Sequence, residues 1–212
     1  MSRKLRHHAV LLLGPTGSGK TPLGDLLERR GLGGRRCLHF DFGAQLRRIA
    51  ERKEPGAFVT RADVNFLKHV LRSGALLEDE HFPIARGVVR AFLAERSAVA
   101  ETLVVLNGLP RHAGQAEAMD ALLDVRMVVY LSCSAETVLA RIQGNVGGDR
   151  TGRLDDDAES IRRKLAMFAE RTSPLLDYYR RRQVEIETIE VADGTTAEQI
   201  WEILNHRRNR DS

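Results

Sequence analysis

The sequence predicts an α/β fold in which five parallel strands form a sheet with helices on both faces. Short continuous apolar runs are typical of parallel strands that are covered on both faces, and three such runs occur at 9–13, 102–106 and 127–131. Segments with helical periodicity alternate with these runs along the chain. A glycine-rich segment directly follows the first run and precedes a helical pattern. Together these observations favour a doubly wound parallel sheet.

The elements follow from these patterns in chain order. The first helix places Leu23, Leu26 and Leu27 on one face, and the glycines at 31–34 end it. Residues 1–8 are polar and basic, so we expect a frayed start. The predicted strands are 9–13, 36–40, 102–106, 127–131 and 187–192, and the predicted helices are 19–30, 43–52, 61–71, 84–95, 114–123, 135–143, 160–171 and 197–207.

Composition limits the possible classes of protein. The 212 residues fit a single domain, and the two cysteines, Cys37 and Cys133, end apolar runs, as expected of reduced thiols in a cell interior. Because there is no secretory leader pattern and no apolar run of about 18 residues, we expect a cytoplasmic protein without a membrane span. The net charge is +4, but the basic residues are dispersed, which favours a small polyanionic substrate over nucleic acid.

The glycine-rich segment matches the phosphate-binding pattern G-x-x-x-x-G-K-[ST] at every fixed position. Glycines allow successive backbone N–H groups to face a phosphate chain, and the following helix directs the positive end of its dipole at the same anion. Lys20 is placed to reach the β- and γ-phosphates of ATP, and the Thr21 hydroxyl to bind Mg²⁺. The predicted ATP-binding residues of this loop are Gly14, Pro15, Thr16, Gly17, Ser18, Gly19, Lys20 and Thr21.

Two segments interrupt the alternation of strands and helices. Residues 41–80 are too long for an ordinary connection and contain two helical patterns, so we expect an inserted helical subdomain. Residues 144–157 are rich in glycine and charge, and we expect a short lid that carries arginines. For each segment a surface loop with solvated charges is the alternative.

Several further motifs carry a family resemblance. They are His39-Phe40-Asp41-Phe42-Gly43-Ala44-Gln45-Leu46-Arg47, Asn107-Gly108-Leu109-Pro110-Arg111 with Gln115-Ala116-Glu117-Ala118, Gly152-Arg153-Leu154-Asp155-Asp156, Pro174-Leu175-Leu176-Asp177-Tyr178-Tyr179 and Asp193-Gly194. In their order and spacing the chain resembles the adenylate kinases and the wider nucleoside monophosphate kinases over nearly its whole length. The resemblance implies a monomeric phosphotransferase that uses ATP with Mg²⁺ and phosphorylates a nucleoside monophosphate, and Gln115 favours AMP.

The same resemblance assigns roles to individual residues. The residues expected to bind the acceptor are Phe42, Gly43, Arg47, Gly108, Arg111 and Gln115. Those expected to contact ATP outside the loop are Arg141, Asp193 and Gly194. The residues expected to act on the transferring group are Lys20, Arg111, Arg150, Arg153 and Lys164, and those expected to hold Mg²⁺, through water, are Thr21, Asn107 and Asp41.

The chain departs from the family pattern at five positions. Phe42 replaces a threonine that faces the acceptor base, Ala44 an aspartate, Asn107 a Mg²⁺-associated aspartate, and Asn145 and Lys164 two arginines, although Arg150 is placed to substitute for the first of these arginines. Three functions therefore stay open: an ATP:AMP phosphotransferase, a kinase for another small acceptor, and a nucleotide-binding sensor with weakened catalysis. A panel of acceptors in one ADP-release assay distinguishes them.

Overall fold

A five-stranded parallel sheet lies at the centre of the computed structural model, with the strand order β2-β3-β1-β4-β5. The structure describes residues 6–51, 58–73, 77–149 and 157–210. The strands are β1 (His7–Leu13), β2 (Cys37–Asp41), β3 (Leu103–Asn107), β4 (Leu123–Ser132) and β5 (Glu185–Glu190). The predicted fold class is confirmed.

Helices connect the strands and cover both faces of the sheet. They are α1 (Lys20–Arg30), α2 (Phe42–Glu51), α3 (Arg61–Ser73), α4 (Phe82–Glu95), α5 (Ala113–Met119), α6 (Ala135–Gln143), α7 (Ala158–Met167), α8 (Leu175–Arg181) and α9 (Ala197–Arg210), with a 3₁₀ turn at Asp79–His81 and a π-helical turn at Phe168–Thr172. In the ranges that the structure describes, no helix is both long and apolar enough to cross a bilayer.

The two faces of the sheet carry separate cores because neighbouring strand residues point in opposite directions. In β1, Leu11 and Leu13 pack into one cluster of buried residues, with Phe40 and Phe92, while Leu12 packs into the other. All of these side chains are almost fully buried. Burial on both faces explains why these strands have continuous apolar sequences.

Several boundaries differ from the sequence-based expectation: β5 spans Glu185–Glu190 where the sequence predicts 187–192, the helix expected over 160–171 ends at Met167, and two further differences affect the centre of the sheet. The lead-in predicted at 1–8 is wrong at its end, because β1 begins at His7 and pairs there with Leu123 of β4. The helix predicted over 114–123 ends at Met119. Leu123 is fully buried and starts a long strand, so burial against the sheet overrides the helical pattern at that point.

The topology brings three chain segments together at one edge of the sheet. β1, β3 and β2 are neighbours, and their carboxyl ends are followed by the glycine-rich loop, by Gly108 and by α2 respectively. In open α/β sheets, ligands bind in the crevice beyond the carboxyl ends of the strands. The edge formed by Leu13, Asn107 and Asp41 is therefore where a site is expected.

Candidate active site

The glycine-rich loop joins the central strand β1 to α1, with three of its glycines at positive φ. The φ angles are +154° at Gly14, +77° at Gly17 and +97° at Gly19, values that residues other than glycine rarely adopt. A Cβ atom on Gly14 would also lie 2.7 Å from the carbonyl oxygen of Leu131. The loop is consequently wrapped closely against the sheet, with the N-terminus of α1 at its end.

Lys20 lies across the loop that precedes it. Its Nζ donates hydrogen bonds to the carbonyl oxygens of Gly14, at 2.7 Å, and Pro15, at 2.6 Å. Both Lys20 and Thr21 line a cleft of about 300 Å³ above the loop. The Lys20 ammonium group is therefore placed to bind an anion that enters the cleft.

Arg141 ties the loop to a distant part of the chain. Its side chain is buried, Nε donates to the Gly17 carbonyl oxygen at 3.1 Å, and Nη1 donates to those of Ala192, at 2.8 Å, and Thr195, at 2.9 Å. Burial lowers the pKa of the Arg141 guanidinium below its ordinary value, an effect that nearby acidic groups such as Asp193 oppose. Arg141 thus fixes the loop relative to the segment between β5 and α9.

A second cavity, of about 370 Å³, lies beside Arg141. Its walls are the start of α1, the segment 146–149, and the segment 195–198 that directly follows Asp193 and Gly194. Asp149 lines both cavities. Gly19, at the end of the glycine-rich loop, lines both cavities as well, so the two cavities are neighbours.

The wall of the first cleft that follows β2 and β3 carries arginines from two segments. Arg47, on α2, and Arg111, after β3, both line the cleft and are exposed. The Arg111 side chain turns back on its own segment, where Nε donates to the Gly108 carbonyl oxygen at 3.1 Å. Surrounding protein atoms lower the pKa of Arg111, and the carboxylate of Asp41 counteracts this by favouring the charged form. Arginine stays charged in proteins, so this wall presents two guanidinium groups.

Gln115 lies behind Arg111 and is only 1% exposed. Its Oε1 accepts a hydrogen bond from the backbone N–H of Arg111 at 2.8 Å, and its Nε2 donates to the Leu77 carbonyl oxygen at 2.6 Å. A primary amide has two donors and two acceptor sites, so one of each is left for a ligand. Gln115 thus connects Arg111 to the end of the 41–80 insertion.

Comparison with known proteins agrees with this arrangement. The family model described as "Adenylate kinase" matches residues 12–184, which include the glycine-rich loop and both arginines of the facing wall. This chain belongs to the adenylate kinase family. The match extends over both walls of the cleft, not over the glycine-rich loop alone.

Individual proteins named adenylate kinase cover most of the chain. One from Stenotrophomonas maltophilia strain R551-3 is 33% identical over 82% of this chain and 86% of its own length. Another, from Synechococcus sp. strain RCC307, is 32% identical over 90% of this chain and 97% of its own length. A third, from Xanthomonas campestris pv. campestris strain B100, is 32% identical over 82% and 86% respectively. The chain is thus an adenylate kinase-like member of the nucleoside monophosphate kinases, a family that implies ATP binding.

Phe42 departs from the adenylate kinase pattern, and the structure places it largely in the core. The side chain is 6% exposed, and its ring centroid lies 6.1 Å from that of Phe40. It still contributes to the lining of the cleft, near Gly108. Phe42 therefore contributes to the core and to the lining of the cleft at once.

Asn107 is the other departure at the centre of the site. Its Nδ2 donates to Thr21 Oγ1 at 3.0 Å and to Asp41 Oδ2 at 3.0 Å, and Thr21 Oγ1 itself donates to Asp41 Oδ2 at 3.0 Å. The three residues predicted to hold Mg²⁺ are therefore in direct contact. The hydroxyl oxygen of Thr21 and the carboxylate of Asp41 next to a phosphate-binding loop fit this hard cation, which normally keeps several waters and uses substrate phosphates as further ligands. Asn107 presents its NH₂ group to both of them.

The lid predicted at 144–157 is described only in part. Asn145 has a φ of 45°, a left-handed conformation that asparagine tolerates, and Asp149 borders both cavities. Lys164, on α7, is half-buried and lines the first cleft. Arg150 and Arg153 lie outside the described residues.

Sequence reasoning missed several groups that contribute to the site. Leu77 accepts from Gln115 and lines the cleft, and the π-helical turn contributes Phe168 and Thr172 to the same lining. His39 and Asp25 form a hydrogen bond, Nδ1 to Oδ1, of 2.8 Å directly behind Asn107. The sequence gives no signal for these contacts except that His39 is a polar residue within an apolar strand.

Proposed function

We propose that this chain transfers the γ-phosphoryl group of ATP to a nucleoside monophosphate and that AMP is its preferred acceptor. The observation that carries the proposal is the cleft itself, which has the phosphate loop with Lys20 on one wall and Arg47 and Arg111 on the other. Phosphoryl transfer requires mainly that two phosphates are aligned and their charge is neutralised. A cleft with cations on facing walls meets both requirements.

Each charged residue has a role in this scheme. The loop amides and Lys20 hold the phosphates of ATP, while Arg47 and Arg111 grip the acceptor phosphate as bidentate forks. Lys164, together with Arg150 and Arg153 of the lid, stabilises charge on the transferring group. No general base is needed, because the acceptor is already an anionic phosphate oxygen.

Thr21, Asn107 and Asp41 are the residues that would hold, through water, the Mg²⁺ of bound ATP, and the ion would supply neutralisation of phosphate charge. Arg141 supports the site from behind the loop, and the segment 195–198, which directly follows Asp193 and Gly194, borders the cavity that we propose for the donor base.

We further infer that the inserted subdomain (41–80) and the lid (144–157) close over the two nucleotides. Closure excludes water, which would otherwise hydrolyse ATP. One chain supplies both walls of the cleft, which is consistent with a monomer.

The assignment of AMP depends on Gln115. Its one free N–H donor and one free acceptor site match the adenine edge, which offers an acceptor beside an amino group. Phe42 cannot make such bonds but offers an aromatic edge to the base. We therefore expect AMP and dAMP to be the best acceptors, with other bases detectable.

A kinase for a different small acceptor is the second candidate. It is favoured by Asp41, whose carboxylate lies near Arg111 and reduces the positive field that an acceptor phosphate would meet. A nucleotide-binding sensor is the third, favoured by Asn107, Asn145 and Lys164 departing together from the family pattern.

A panel of acceptors in one coupled ADP-release assay tests the proposal. The panel contains AMP, dAMP, GMP, CMP, UMP and non-nucleotide phosphates and alcohols, and Lys20→Ala supplies the background rate. The highest kcat/KM for AMP supports the proposal. A better pyrimidine or non-nucleotide acceptor supports the second candidate, and tight ATP binding without transfer to any acceptor supports the third.

A further inference from the structure

The last residues of β2 and β3, Asp41 and Asn107, are register partners in the parallel sheet. Their side chains meet beside the glycine-rich loop, where Asp41 Oδ2 accepts hydrogen bonds from Thr21 Oγ1 and from Asn107 Nδ2, each at 3.0 Å. Asp41 Oδ1 accepts from the backbone N–H of Ala44 at 2.8 Å, which fixes the carboxylate at the start of α2. A single carboxylate therefore lies next to the hydroxyl that follows the phosphate-binding lysine.

The amide of Asn107 is held with its NH₂ group toward this carboxylate. The same Nδ2 lies 3.5 Å from His39 Nε2, and His39 Nδ1 lies 2.8 Å from Asp25 Oδ1. An ionised carboxylate only accepts, so His39 Nδ1 donates to Asp25, which holds the ring with Nε2 against the Asn107 amide. The two hydrogens of Asn107 Nδ2 are directed at Thr21 Oγ1 and Asp41 Oδ2, so the amide acts as a donor toward both.

Tight packing keeps this arrangement in place. His39 and Asn107 are 7% and 5% exposed, and a Cβ atom on Gly24 would lie only 2.2 Å from His39 Nε2. Glycine at position 24 is what gives the ring its space. A carboxylate at position 107 would face Asp41 across the 3.0 Å contact that the amide makes now. Two carboxylates at this distance would repel each other, so the adjacent ends of β2 and β3 carry only one negative charge, that of Asp41.

We propose that Asp41 and the Thr21 hydroxyl are the protein groups that would bind the Mg²⁺ of bound ATP, and that Asp41 supplies the negative charge of this site. Asn107, which donates to both Thr21 and Asp41, is then a positioning residue, and the carboxylate lies one strand away from the position at which the family pattern carries it. Mg²⁺ commonly binds through one or two carboxylates plus substrate phosphates and waters. Consistent with this, the described ranges contain no cluster of three His, Cys, Asp or Glu side chains that would hold a metal without ATP. This inference rests on the proposed function.

A different role for Asp41 makes a distinguishable prediction. An ideal Cβ on Gly43 would lie 3.4 Å from both Arg47 Nη1 and Asp41 Oδ1, and Asp41 also favours the charged form of Arg111. If Asp41 served only to orient these arginines, its removal would weaken acceptor binding and leave the effect of Mg²⁺ on ATP binding unchanged. A metal role instead alters how Mg²⁺ changes ATP binding when no acceptor is present.

The decisive measurement is the affinity of the full chain for a fluorescent ATP analogue, in excess Mg²⁺ and in EDTA, without acceptor. Wild type should bind more tightly with Mg²⁺. In Asp41→Asn the ratio of the two affinities should fall on the order of tenfold, which corresponds to about 1.4 kcal/mol. Asp177→Asn, which removes an exposed carboxylate on α8, is the matched control and should keep the wild-type ratio.

Further variants separate the roles of the two strand ends. Asn107→Ala should keep most of the Mg²⁺ effect, because Asp41 remains. Asp41→Asn combined with Asn107→Asp has the charge and composition of wild type and should recover the effect. Thr21→Ser should keep it and Thr21→Val lose it, so the proposal is tested even if Asp41→Asn does not fold.

The outcomes distinguish this inference from the proposed function. If Asp41→Asn keeps the wild-type ratio while the acceptor KM rises, Asp41 orients the arginines and the inference is overturned. Loss of the Mg²⁺ effect in Asn107→Ala alone would overturn it as well. If wild type binds no ATP analogue under either condition, the proposed function itself fails.

Discussion

The two walls of the cleft are built in different ways. Backbone groups form most of the wall proposed to bind ATP, which is called the donor wall below. Three glycines at positive φ shape its loop, and the hydrogen bonds of Arg141 and Lys20 end on backbone carbonyl oxygens. The wall proposed to bind the nucleoside monophosphate, called the acceptor wall below, is formed by side chains from β2, α2, the segment after β3, and α5. The loop of the donor wall is local in sequence, although Arg141 fixes it from a distant helix, whereas the acceptor wall consists of side chains from elements that are far apart in the chain.

This difference determines how each wall responds to change. A loop that binds through backbone amides depends on conformation, so its weak points are the glycines and the buried arginine that fixes it. A wall of hydrogen-bonded side chains depends on every partner, because a buried polar group that loses its partner is costly. Substitutions on the donor wall should change the KM for ATP. Those on the acceptor wall should change the KM for the acceptor and the discrimination between acceptor bases.

The largest effect is expected for Lys20→Ala, on the donor wall. Loss of the ammonium should reduce kcat roughly 100- to 1,000-fold, the range typical for removing a group that stabilises transition-state charge. The thermal midpoint should change little, because Lys20 lies in a solvent-accessible cleft. Lys68→Ala, an exposed lysine on α3, is the control in steady-state assays. Wild-type turnover in a folded Lys20→Ala protein would remove the loop from the mechanism.

Arg141→Lys tests the rigidity of the donor wall. A lysine has no planar fork, so it cannot bond Gly17 on one side and Ala192 and Thr195 on the other. We expect a loss of about 2 kcal/mol in the free energy of unfolding, measured in urea, because buried carbonyl groups lose a charged partner. The KM for ATP should rise and that for AMP should not. Equal changes in both would contradict a role confined to the donor wall.

Gln115→Ala tests the acceptor wall. If the amide binds adenine, its loss should raise the KM for AMP about 10- to 100-fold, from the 1–3 kcal/mol typical of a lost partner to a buried polar group. The amide also holds Arg111 and Leu77, so the KM values of all acceptors should rise to some extent. IMP, which lacks the amino group of adenine, separates the two effects. An unchanged ratio of AMP to IMP would show that Gln115 only positions Arg111.

The smallest effect is expected for the ion pair between Glu78 and Arg171, which lies in the π-helical turn Phe168–Thr172. Both oxygens of Glu78 pair with Arg171, at 2.8 and 2.9 Å, and this pairing lowers the pKa of Glu78. A lowered folded-state pKa means that the stabilisation is present above the unfolded-state pKa and is lost as pH falls through the folded-state value. Glu78→Gln should therefore lower the thermal midpoint slightly at pH 7, and the difference from wild type should shrink as the pH is lowered through the folded-state pKa of Glu78. A difference that does not change with pH would show that the charge is not involved.

The sequence by itself determined the sheet, the order of most elements and the donor loop. Strands such as 9–13 and 127–131 are apolar on both faces because helices cover both, and this leaves a signal within a few neighbouring residues. The loop from Gly14 to Thr21 is equally local, since its conformation depends on its own glycines. The length of the segment 41–80 likewise indicates an insertion without any knowledge of its contacts.

Only the tertiary structure decided which side chains meet across the cleft. The contact of Asp41 with Asn107 depends on the register of β2 against β3, and the contact of both with Thr21 depends on how α1 follows the central strand. The buried state of Phe42 and the engagement of Gln115 by Leu77 arise in the same way. These contacts join residues far apart in the chain, and their geometry is fixed by packing around both cores, which no local pattern of residues records.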